Sequence, residues 1–552
     1  MEVNDDVQRR EMRKEFLGIF AVIMLVGIFF CTVKSGFKED EIYSYGLSNS
    51  QYMPFLTELF DDGEGVINRQ QLWNYITVND GDSFDYGSVY YNQTQDVHPP
   101  LYYFLLHTIC SVFPETFNKW MGLSLNLFLF AGTLLLLYNV MIRLLEGAKG
   151  TVSGHMLSAH KAGLMAMVLY GLSMAGLSEL VLIRMYMLAS FLNVLLVWWI
   201  LCLLRKQSIS LYLALGVTIF AGLTTHYYFV FYAFFACAML DIYYLTTKKG
   251  RAFAAVSVAA VLGVLCMYLY YPAGLEDLMS GEKVTGEGFV DKVTSLHSIA
   301  SAIFITCRII VTDLAVTSVA GIAGCCLLFK QRKRLKGQMT AGRVMEMAVL
   351  VVPAVLDFMA VSLLTPSLRY IYNAIPLVPV AAACVWYWVM AAEDCETGEA
   401  KATGRMCRLD SKKTANGAIA VMIACSVGML FLVEPEHLYR DHKQYNEALT
   451  TVEGAPVVYY TDVYHPSITS DVVQMLMFPD AYISKEAVTD GLISYVKEHQ
   501  ASQNMVVFFA KYPEMFDDEA YLTSLNDVLG GRYEPELLYD AKQSRTYLMR
   551  MK

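Results

Sequence analysis

The sequence predicts a polytopic α-helical membrane protein with a small α/β domain at its C-terminal end. Apolar residues make up 55% of the chain and charged residues only 17%, whereas soluble domains have about 45–50% and about 25%. Several uncharged windows reach about 18 residues, near the length that a helix needs to cross the hydrocarbon core. One of them is "FLGIFAVIMLVGIFFCTV" at 16–33.

About eleven membrane spans are predicted from these windows. They lie near residues 16–33, 121–142, 162–180, 186–204, 210–224, 227–246, 253–271, 313–329, 344–364, 370–391 and 416–433. The first is interpreted as an uncleaved anchor, because no small-residue cleavage site follows it and Lys34 and Lys38 come next. Two further apolar runs, at 100–116 and 298–311, are predicted to be interfacial or re-entrant helices, since both are short for a span.

The distribution of lysine and arginine predicts the orientation. With a cytoplasmic N-terminus, all the basic clusters fall in cytoplasmic loops, namely 9–14, 143–161, 205–206, 248–251, 330–336 and 405–413. The run after His98 therefore cannot cross, because a crossing at 100–116 would place the 143–161 cluster outside. This arrangement predicts a multi-pass plasma-membrane protein with its functional site and C-terminal domain extracytoplasmic. No nucleic-acid partner is expected.

Two domains are expected. Residues 1–433 form the membrane domain, with a first external loop at 34–120 and a second large external loop at 272–312. Residues 434–552 form an extracytoplasmic domain, in which strand-like runs such as "MVVFFAKY" alternate with helical patterns such as "TDGLISYVKEHQ". That alternation is typical of an α/β fold.

Polar residues interrupt apolar sequence at the predicted outer ends of the helices. Asp40 and Glu41 follow the first span, and the stretch "DVHPPLYY" sets an acid and a histidine against an apolar run. Comparable positions are Arg184 and Tyr186 in "IRMYML", His226 and Tyr227 in "TTHYYF", and Arg369 and Tyr370 in "SLRYIYNAIPLV". Such groups are costly at a membrane boundary unless they are paired or used. A polar site on the outer face is therefore predicted.

The acidic pair, "DVHPPLYY", "IRMYML" and "SLRYIYNAIPLV", in this order, resemble the GT-C superfamily of membrane glycosyltransferases. The similarity is to the branch that contains the protein O-mannosyltransferases, the bacterial aminoarabinose transferase and its rhizobial galacturonosyltransferase relatives, and it covers roughly residues 16–390. It implies a GT-C-like fold and a polyprenyl-phosphate-linked sugar donor. It also implies a glycan, lipid or protein acceptor and a catalytic acid in the first external loop.

This resemblance implies that Asp40 is the general base, with Glu41 as an alternative base or an orienting residue. Loss of the acceptor's hydroxyl proton requires such a carboxylate. Partial burial at the lipid boundary is expected to raise the pKa of Asp40 toward a useful value.

The remaining predicted site residues bind substrate. Arg184 and Arg369 are the phosphate ligands, because one guanidinium can bind two phosphate oxygens. The other four are Asp96 and His98, as hydrogen-bond or metal partners beside Asp40, and Tyr186 and Tyr370, as neighbours of the arginines. No cofactor is required by this interpretation, and the need for a divalent metal is left open.

Other interpretations remain at this level. The acidic residues after the first span could form a solvated loop, His98 could cap a helix, and either arginine could snorkel at a helix end. A transporter or flippase of lipid-linked sugars is the alternative function. It should show repeats and interrupted helices, and neither is visible in the sequence.

Overall fold

The computed structural model describes residues 2–60, 64–145, 152–274, 295–331, 341–365, 367–403, 411–461, 468–469, 471–499, 503–511 and 516–552. In chain order the helices are α1 (Glu2–Val33), α2 (Glu39–Asn49), α3 (Arg69–Ile76), α4 (Tyr86–Gln95), α5 (Leu101–Val112), α6 (Lys119–Leu145), α7 (Val152–Gly171), α8 (Met174–Val181), α9 (Tyr186–Arg205), α10 (Ile209–Leu223), α11 (Phe229–Thr246), α12 (Gly250–Tyr270), α13 (Leu296–Asp313), α14 (Ala315–Gln331), α15 (Ala341–Leu364), α16 (Leu368–Ile371), α17 (Leu377–Thr403), α18 (Ser411–Leu432), α19 (Asp441–Thr450), α20 (Val472–Met475), α21 (Asp490–Glu498) and α22 (Asp518–Val528). The strands are β1 (Gly65–Asn68), β2 (Val457–Tyr460), β3 (Asp480–Ser484), β4 (Asn504–Ala510), β5 (Tyr533–Asp540) and β6 (Ser544–Met551).

The helical membrane part has the predicted class. Among the described residues, eight helices are long and apolar enough to cross a membrane: α1, α6, α9, α11, α12, α13, α15 and α18. The number rises to ten if two bent helix pairs each count as one span. The polytopic helical fold is thus confirmed, with eight to ten candidate spans in place of about eleven.

The difference in number comes from helix ends. The spans predicted at 210–224 and 313–329 form α10 and α14, of 15 and 17 residues. They are about 22–26 Å long, against a hydrocarbon core of about 30 Å. The run at 298–311 was predicted to be too short for a span, and this is wrong: α13 extends past it at both ends, reaches 18 residues and is apolar enough to cross. Apolar runs do not reveal how far a helix continues into polar residues.

Two helices of the bundle are interrupted by bends that were not predicted. Helices α7 and α8 meet at an angle of 59°, and residues 368–374 meet α17 at 49°. At the first bend Ser173 Oγ accepts a hydrogen bond from Gly176 N at 3.0 Å and so caps α8. At the second, Pro376 immediately precedes α17, where a proline ends one helical segment and starts another.

The run after His98 forms the 12-residue helix α5. At about 18 Å it is too short to span the core, as predicted. Its start is tied to the bundle by a hydrogen bond from Leu101 N to Thr224 O at 2.9 Å. Helix α2 packs against α3, α4 and α5, so these four helices of residues 39–112 form a layer at one end of the bundle.

The C-terminal region forms a six-stranded sheet in the order β1-β3-β2-β4-β6-β5. Strands β3, β2 and β4 are parallel, and β6 and β5 extend the sheet antiparallel. The edge strand β1 comes from the segment between α2 and α3 and pairs antiparallel with β3, with Gly65 opposite Ile483. The α/β fold predicted for the C-terminal region is confirmed, while the domain boundary at residue 433 stays a prediction.

Both faces of this sheet are buried, which explains its apolar central strands. Val458 and Tyr460 face α21 and α22, whose Leu492 and Leu525 complete one core. The alternate residues, Val457 and Tyr459, belong to the core that continues into the membrane bundle. The sheet therefore packs directly on the end of the bundle that carries α2.

Candidate active site

The acidic residues after α1 begin a buried helix. Glu39, Asp40 and Glu41 form the first turn of α2, where the exposed N–H groups favour negative charge. Lys38 N donates to Glu41 Oε2 at 2.7 Å, the backbone half of a capping box. Because Glu41 is fully buried, the alternative of a solvated acidic loop is excluded.

Asp40 is surrounded by three cations. Its Oδ2 contacts Arg369 Nη1 and Lys38 Nζ, and its Oδ1 lies 3.8 Å from Arg184 Nη2. The Asp40 side chain keeps 21% of its surface exposed, so the carboxylate is accessible from one side. Arg184 reaches it from the connection between α8 and α9, and Arg369 reaches it from the short helix α16.

The electrostatic setting of Asp40 differs from the expectation. Burial does raise its pKa, but Arg184, Arg369 and Lys38 outweigh burial and hold the pKa of Asp40 well below its usual range. The prediction of a raised pKa is therefore wrong for the protein without substrate. Sequence alone could not show that both arginines meet this one carboxylate.

Asp96 and His98 support Arg184. Asp96 Oδ2 lies 2.8 Å from His98 Nδ1, and His98 Nε2 lies 3.4 Å from Arg184 Nη2. A guanidinium can only donate, so the geometry fits the neutral histidine tautomer with its proton on Nδ1. Arg184 Nη1 also donates to Asp40 O at 3.1 Å and to Tyr103 Oη at 3.0 Å, which fixes the plane of the guanidinium.

Aromatic rings form a wall beside Arg369. Its guanidinium carbon lies 5.0 Å from the centroid of the Tyr370 ring, a distance typical of a cation–π contact. The Tyr186 ring lies 6.1 Å from that of Tyr370 and 5.5 Å from that of His226. Burial, joined by the neighbouring positive charges, lowers the pKa of His226 well below its ordinary value, so this ring is neutral at pH 7.

Glu41 faces away from Asp40 and joins three segments. Its Oε2 accepts from Lys34 Nζ at 3.0 Å, and its Oε1 accepts from Ile183 N at 2.8 Å. Both Lys34 and Glu41 have fully buried side chains. Burial raises the pKa of Glu41, and the charge of Lys34 and the N–H donors oppose that rise. These bonds fix α2 against the connection that carries Arg184.

The eight predicted residues thus lie close together, but they differ in how directly they contact the site. Asp40, His98, Arg184 and Arg369 are in direct contact, whereas Asp96, Tyr186 and Tyr370 contact the site through a neighbour, and Glu41 lies behind it. Three further residues, Lys34, Lys38 and Tyr103, contact the site or its supporting residues and were not predicted. A signal for all three was present in the sequence. Tyr103 is part of the stretch "DVHPPLYY", and Lys34 and Lys38 are the charged residues that directly follow the first apolar window.

The described part of the chain offers no group of three or more His, Cys, Asp or Glu side chains that could hold a metal ion. Both ring nitrogens of His98 already face Asp96 and Arg184. This arrangement fits a hydrogen-bonding histidine better than a metal ligand.

Comparison with solved structures identifies the architecture. ArnT from Cupriavidus metallidurans in the apo state matches 97% of this chain and 98% of its own, at 12% identity and a TM-score of 0.50. The same protein bound to undecaprenyl phosphate matches 97% of both chains at 12% identity and a TM-score of 0.46. The mycobacterial arabinofuranosyltransferase AftD matches 97% of this chain and 40% of its own, at 12% identity and a TM-score of 0.40.

No family model matches the sequence, and no curated protein does. At 12% identity the likeness to ArnT concerns the fold and not the individual residues. The resemblance predicted from the four motifs is thus confirmed at the level of architecture: this chain shares the fold of ArnT along nearly its whole length.

Proposed function

We propose that this protein is an integral membrane glycosyltransferase that transfers a sugar from a polyprenyl-phosphate-linked donor to an acceptor of the cell envelope. The acceptor is a hydroxyl of a glycan, lipid or protein at the extracytoplasmic face. One observation carries the proposal: a partly accessible carboxylate, Asp40, held between the guanidinium groups of Arg184 and Arg369 at one end of the bundle.

The cations suit the leaving group. Cleavage of the bond between the anomeric carbon and the phosphate oxygen leaves a polyprenyl phosphate with growing negative charge. Arg184 and Arg369 both contact the Asp40 carboxylate, whereas Lys38 is shared between Asp40 and Glu39, so the two guanidinium groups are the cations that the site can offer a phosphate. Preorganised cations of this kind stabilise the transition state more than the ground state.

Asp40 acts as the base once the donor is bound. In the free protein the surrounding cations lower its pKa, which makes it a weak proton acceptor. A phosphate that takes up the positive charge of Arg184 and Arg369 restores basicity to Asp40. Asp40 then removes the acceptor's proton while the acceptor oxygen bonds to the anomeric carbon and the phosphate departs. This single displacement inverts the anomeric configuration.

The other predicted residues have supporting roles in this proposal. Glu41 orients α2, and the Asp96–His98 pair orients Arg184. Tyr186 and Tyr370 line the side of the pocket beside Arg369. A divalent metal is not assigned a step.

An apolar groove supports a lipid-linked donor. It has a volume of about 860 Å³ between α10 and α12 and is lined by side chains such as Leu213, Val217 and Leu262. Tyr270 also lines the groove and accepts, through its carbonyl, a hydrogen bond from the Tyr90 hydroxyl of α4 at 3.0 Å. Helix α4 leads directly to Asp96. A polyisoprenoid chain in this groove would have its phosphate end toward the site, and ArnT itself has been solved with undecaprenyl phosphate.

Loss of a phosphate ligand should weaken donor use. Arg369→Ala is expected to reduce kcat/KM for the donor roughly tenfold to a hundredfold, since a charge-assisted hydrogen bond contributes about 1.5–3 kcal/mol. Arg184→Ala should act in the same direction. Arg205→Ala, which removes an arginine paired with Glu346 outside this site, is the matched control. Unchanged donor kinetics in Arg369→Ala would remove Arg369 from the phosphate site.

The pH dependence of kcat/KM should reveal the effect of the surrounding cations on the pKa of Asp40. Because their charges lower its pKa, Asp40 is ionised at pH 7 and should give kcat/KM no acid limb near neutral pH. Arg369→Gln removes one lowering charge, so the acid limb should move to higher pH than in the wild type. The measurement is kcat/KM from pH 4 to 9, with Arg205→Gln as control. Identical acid limbs in Arg369→Gln and the wild type would contradict the assignment.

The orientation stays a prediction that labelling can test. Single cysteines introduced at Lys336 and Lys485 should differ: the first should be protected from an impermeant maleimide in intact cells. The second lies on the surface of the C-terminal domain and should be labelled freely. External labelling at position 336 would contradict the cytoplasmic assignment of the basic loops.

The acceptor and sugar can be identified together by mass spectrometry of cell-envelope glycans and glycolipids from cells with and without the protein. A glycosylated species should disappear without it, and also in an Asp40→Asn strain. A flippase would instead change the distribution of lipid-linked sugar between leaflets and would not depend on a base. The bent helix pairs are compatible with a flippase, so this comparison is the one that separates the two functions.

A further inference from the structure

The chain that leaves the last span lies against the segment that leaves the first. We call residues 434–442 the strap. Ser35 N donates to Leu438 O of the strap at 2.9 Å, and Lys34 Nζ donates to His437 O at 2.5 Å. Lys34 is fully buried there. The strap therefore supplies backbone acceptors to the five-residue connection, residues 34–38, between α1 and the helix that carries the proposed base.

Gly36 is in close contact with the strap. A Cβ atom at this position would lie 2.5 Å from Cγ and 2.8 Å from Cβ of His442. Separations under 3.0 Å do not occur between real side chains, and Cβ cannot swing away without a shift of the backbone of α19. His442 itself is 2% exposed. Any residue larger than glycine at position 36 must therefore displace the strap from the connection.

A second contact comes from the sheet of the C-terminal domain. Gln543, between β5 and β6, donates through Nε2 to Glu39 Oε2 at 2.6 Å. Glu39 is the first residue of α2 and immediately precedes Asp40. The C-terminal region thus holds the first turn of α2 at its start, in addition to the contacts of the strap.

The contacts continue from the strap to the phosphate-binding side of the site. His437 O accepts from Lys34, Lys34 donates to Glu41, and Glu41 accepts from Ile183 N. Ile183 immediately precedes Arg184. One continuous series of hydrogen bonds therefore connects the C-terminal segment with the helix of Asp40 and with the backbone beside Arg184.

We infer that the C-terminal region is a positioning part of the catalytic centre: the strap and Gln543 fix Asp40 and Arg184 relative to each other. This inference rests on the proposed function for its catalytic readout. A domain that only recruited the acceptor would not need to bury a lysine against its linker or to contact the first turn of α2. The positioning residues here act through Lys34, Glu39 and Glu41 and do not touch the reacting atoms.

The first test uses the contact between Gly36 and His442. Gly36→Ala should reduce kcat at least tenfold with little change in the donor KM, because the displaced connection moves Asp40. His442→Gly removes the three atoms nearest to the new methyl group, so Gly36→Ala introduced into that background should change kcat by less than twofold. Gly250→Ala, where a Cβ meets nothing within 4 Å, should leave kcat unchanged. Equal losses from Gly36→Ala in both backgrounds would overturn the inference.

The second test does not perturb packing. Gln543→Ala should keep the thermal unfolding temperature and reduce kcat roughly threefold to tenfold, which is less than the full effect of one hydrogen bond to a charged group, because Gln543 acts on Asp40 only through Glu39. The exposed Gln503 in the same domain provides the control Gln503→Ala. Wild-type kcat in Gln543→Ala would show that this contact does not position the base.

A measurement that needs no sugar donor tests the positioning of α2 independently of the proposed glycosyltransferase function. Hydrogen exchange of the amides at 39–45, followed by mass spectrometry, should accelerate in Gly36→Ala and return toward the wild-type rate in the Gly36→Ala/His442→Gly pair. If exchange follows this pattern and no donor is ever consumed, the positioning stands and the glycosyltransferase proposal fails. If exchange is the same in all variants, the strap does not hold α2.

Discussion

Asp40→Asn should lose nearly all turnover while the protein stays folded and still binds the donor. General-base assistance contributes on the order of a hundredfold to ten-thousandfold, and asparagine keeps the size of the side chain but cannot accept the proton. Arg369 is 27% exposed, so water can solvate the guanidinium that loses its partner. The measurement is the initial rate of sugar transfer, combined with donor binding and the thermal unfolding temperature of the detergent-solubilised protein.

Two further carboxylate variants serve as controls for this assignment. Glu41→Gln should affect stability more than chemistry, because the oxygens of Glu41 already bind Lys34 and two backbone N–H groups. Asp96→Asn should act through the orientation of His98 and Arg184 and be milder than Asp40→Asn. A wild-type rate in Asp40→Asn, together with an inactive Asp96→Asn, would show that Asp96 is the base.

The second large effect concerns the buried pair of Lys34 and Glu41. Among the described residues, Glu41→Leu leaves the buried Lys34 ammonium group with the carbonyl of His437 as its remaining hydrogen-bond acceptor. Removal of one member of a buried ion pair typically costs about 3–5 kcal/mol, so this variant should unfold at a much lower temperature or fail to accumulate in the membrane. The measurement is thermal unfolding of the purified protein.

The pair also offers a compensating variant. Lys34→Met/Glu41→Leu removes both charges and should recover a large part of the lost stability, because an apolar replacement of a buried pair is often neutral. Glu11→Gln breaks the exposed pair with Lys14 and should change stability by less than about 1 kcal/mol. If Glu41→Leu were as stable as Glu11→Gln, the buried pair would have no structural role.

Much of the fold could be predicted, because the membrane imposes simple rules. Uncharged windows located most spans, and the loop charges required the run after His98 to stay on one side, where the structure has the short helix α5. The bends at 171–174 and 374–377 were missed. Hydropathy averages over a window and is insensitive to a change of direction at Ser173 or Pro376, where the sequence remains apolar.

The site residues could be selected because polar groups are rare and costly in apolar sequence. The same rule placed these polar residues at the outer ends of helices, so they were expected to lie near one another. In the structure Asp40, Arg184 and Arg369 do meet at one end of the bundle. Their electrostatics could not be predicted. The lowered pKa of Asp40 depends on which charges meet it, and that is a property of the packed structure.

Long-range contacts were beyond the sequence altogether. Lys34 and His437 are 403 positions apart, and the acceptor at His437 is a backbone carbonyl that any residue possesses. Gly36 and His442 are adjacent only because the first and last spans end at the same side of the bundle. No local pattern in the chain indicated that the C-terminal region would touch the helix of Asp40.

Transfer by the purified protein is the most direct test of the proposed function. The protein in detergent is given a series of polyprenyl-phosphate sugars and an envelope extract from cells that lack it. Release of polyprenyl phosphate is followed by mass spectrometry, and the anomeric configuration of the product by NMR. We predict release that requires Asp40 and a product of inverted configuration. A product that retains the donor's configuration, or no release from any polyprenyl-phosphate sugar, would contradict the proposal.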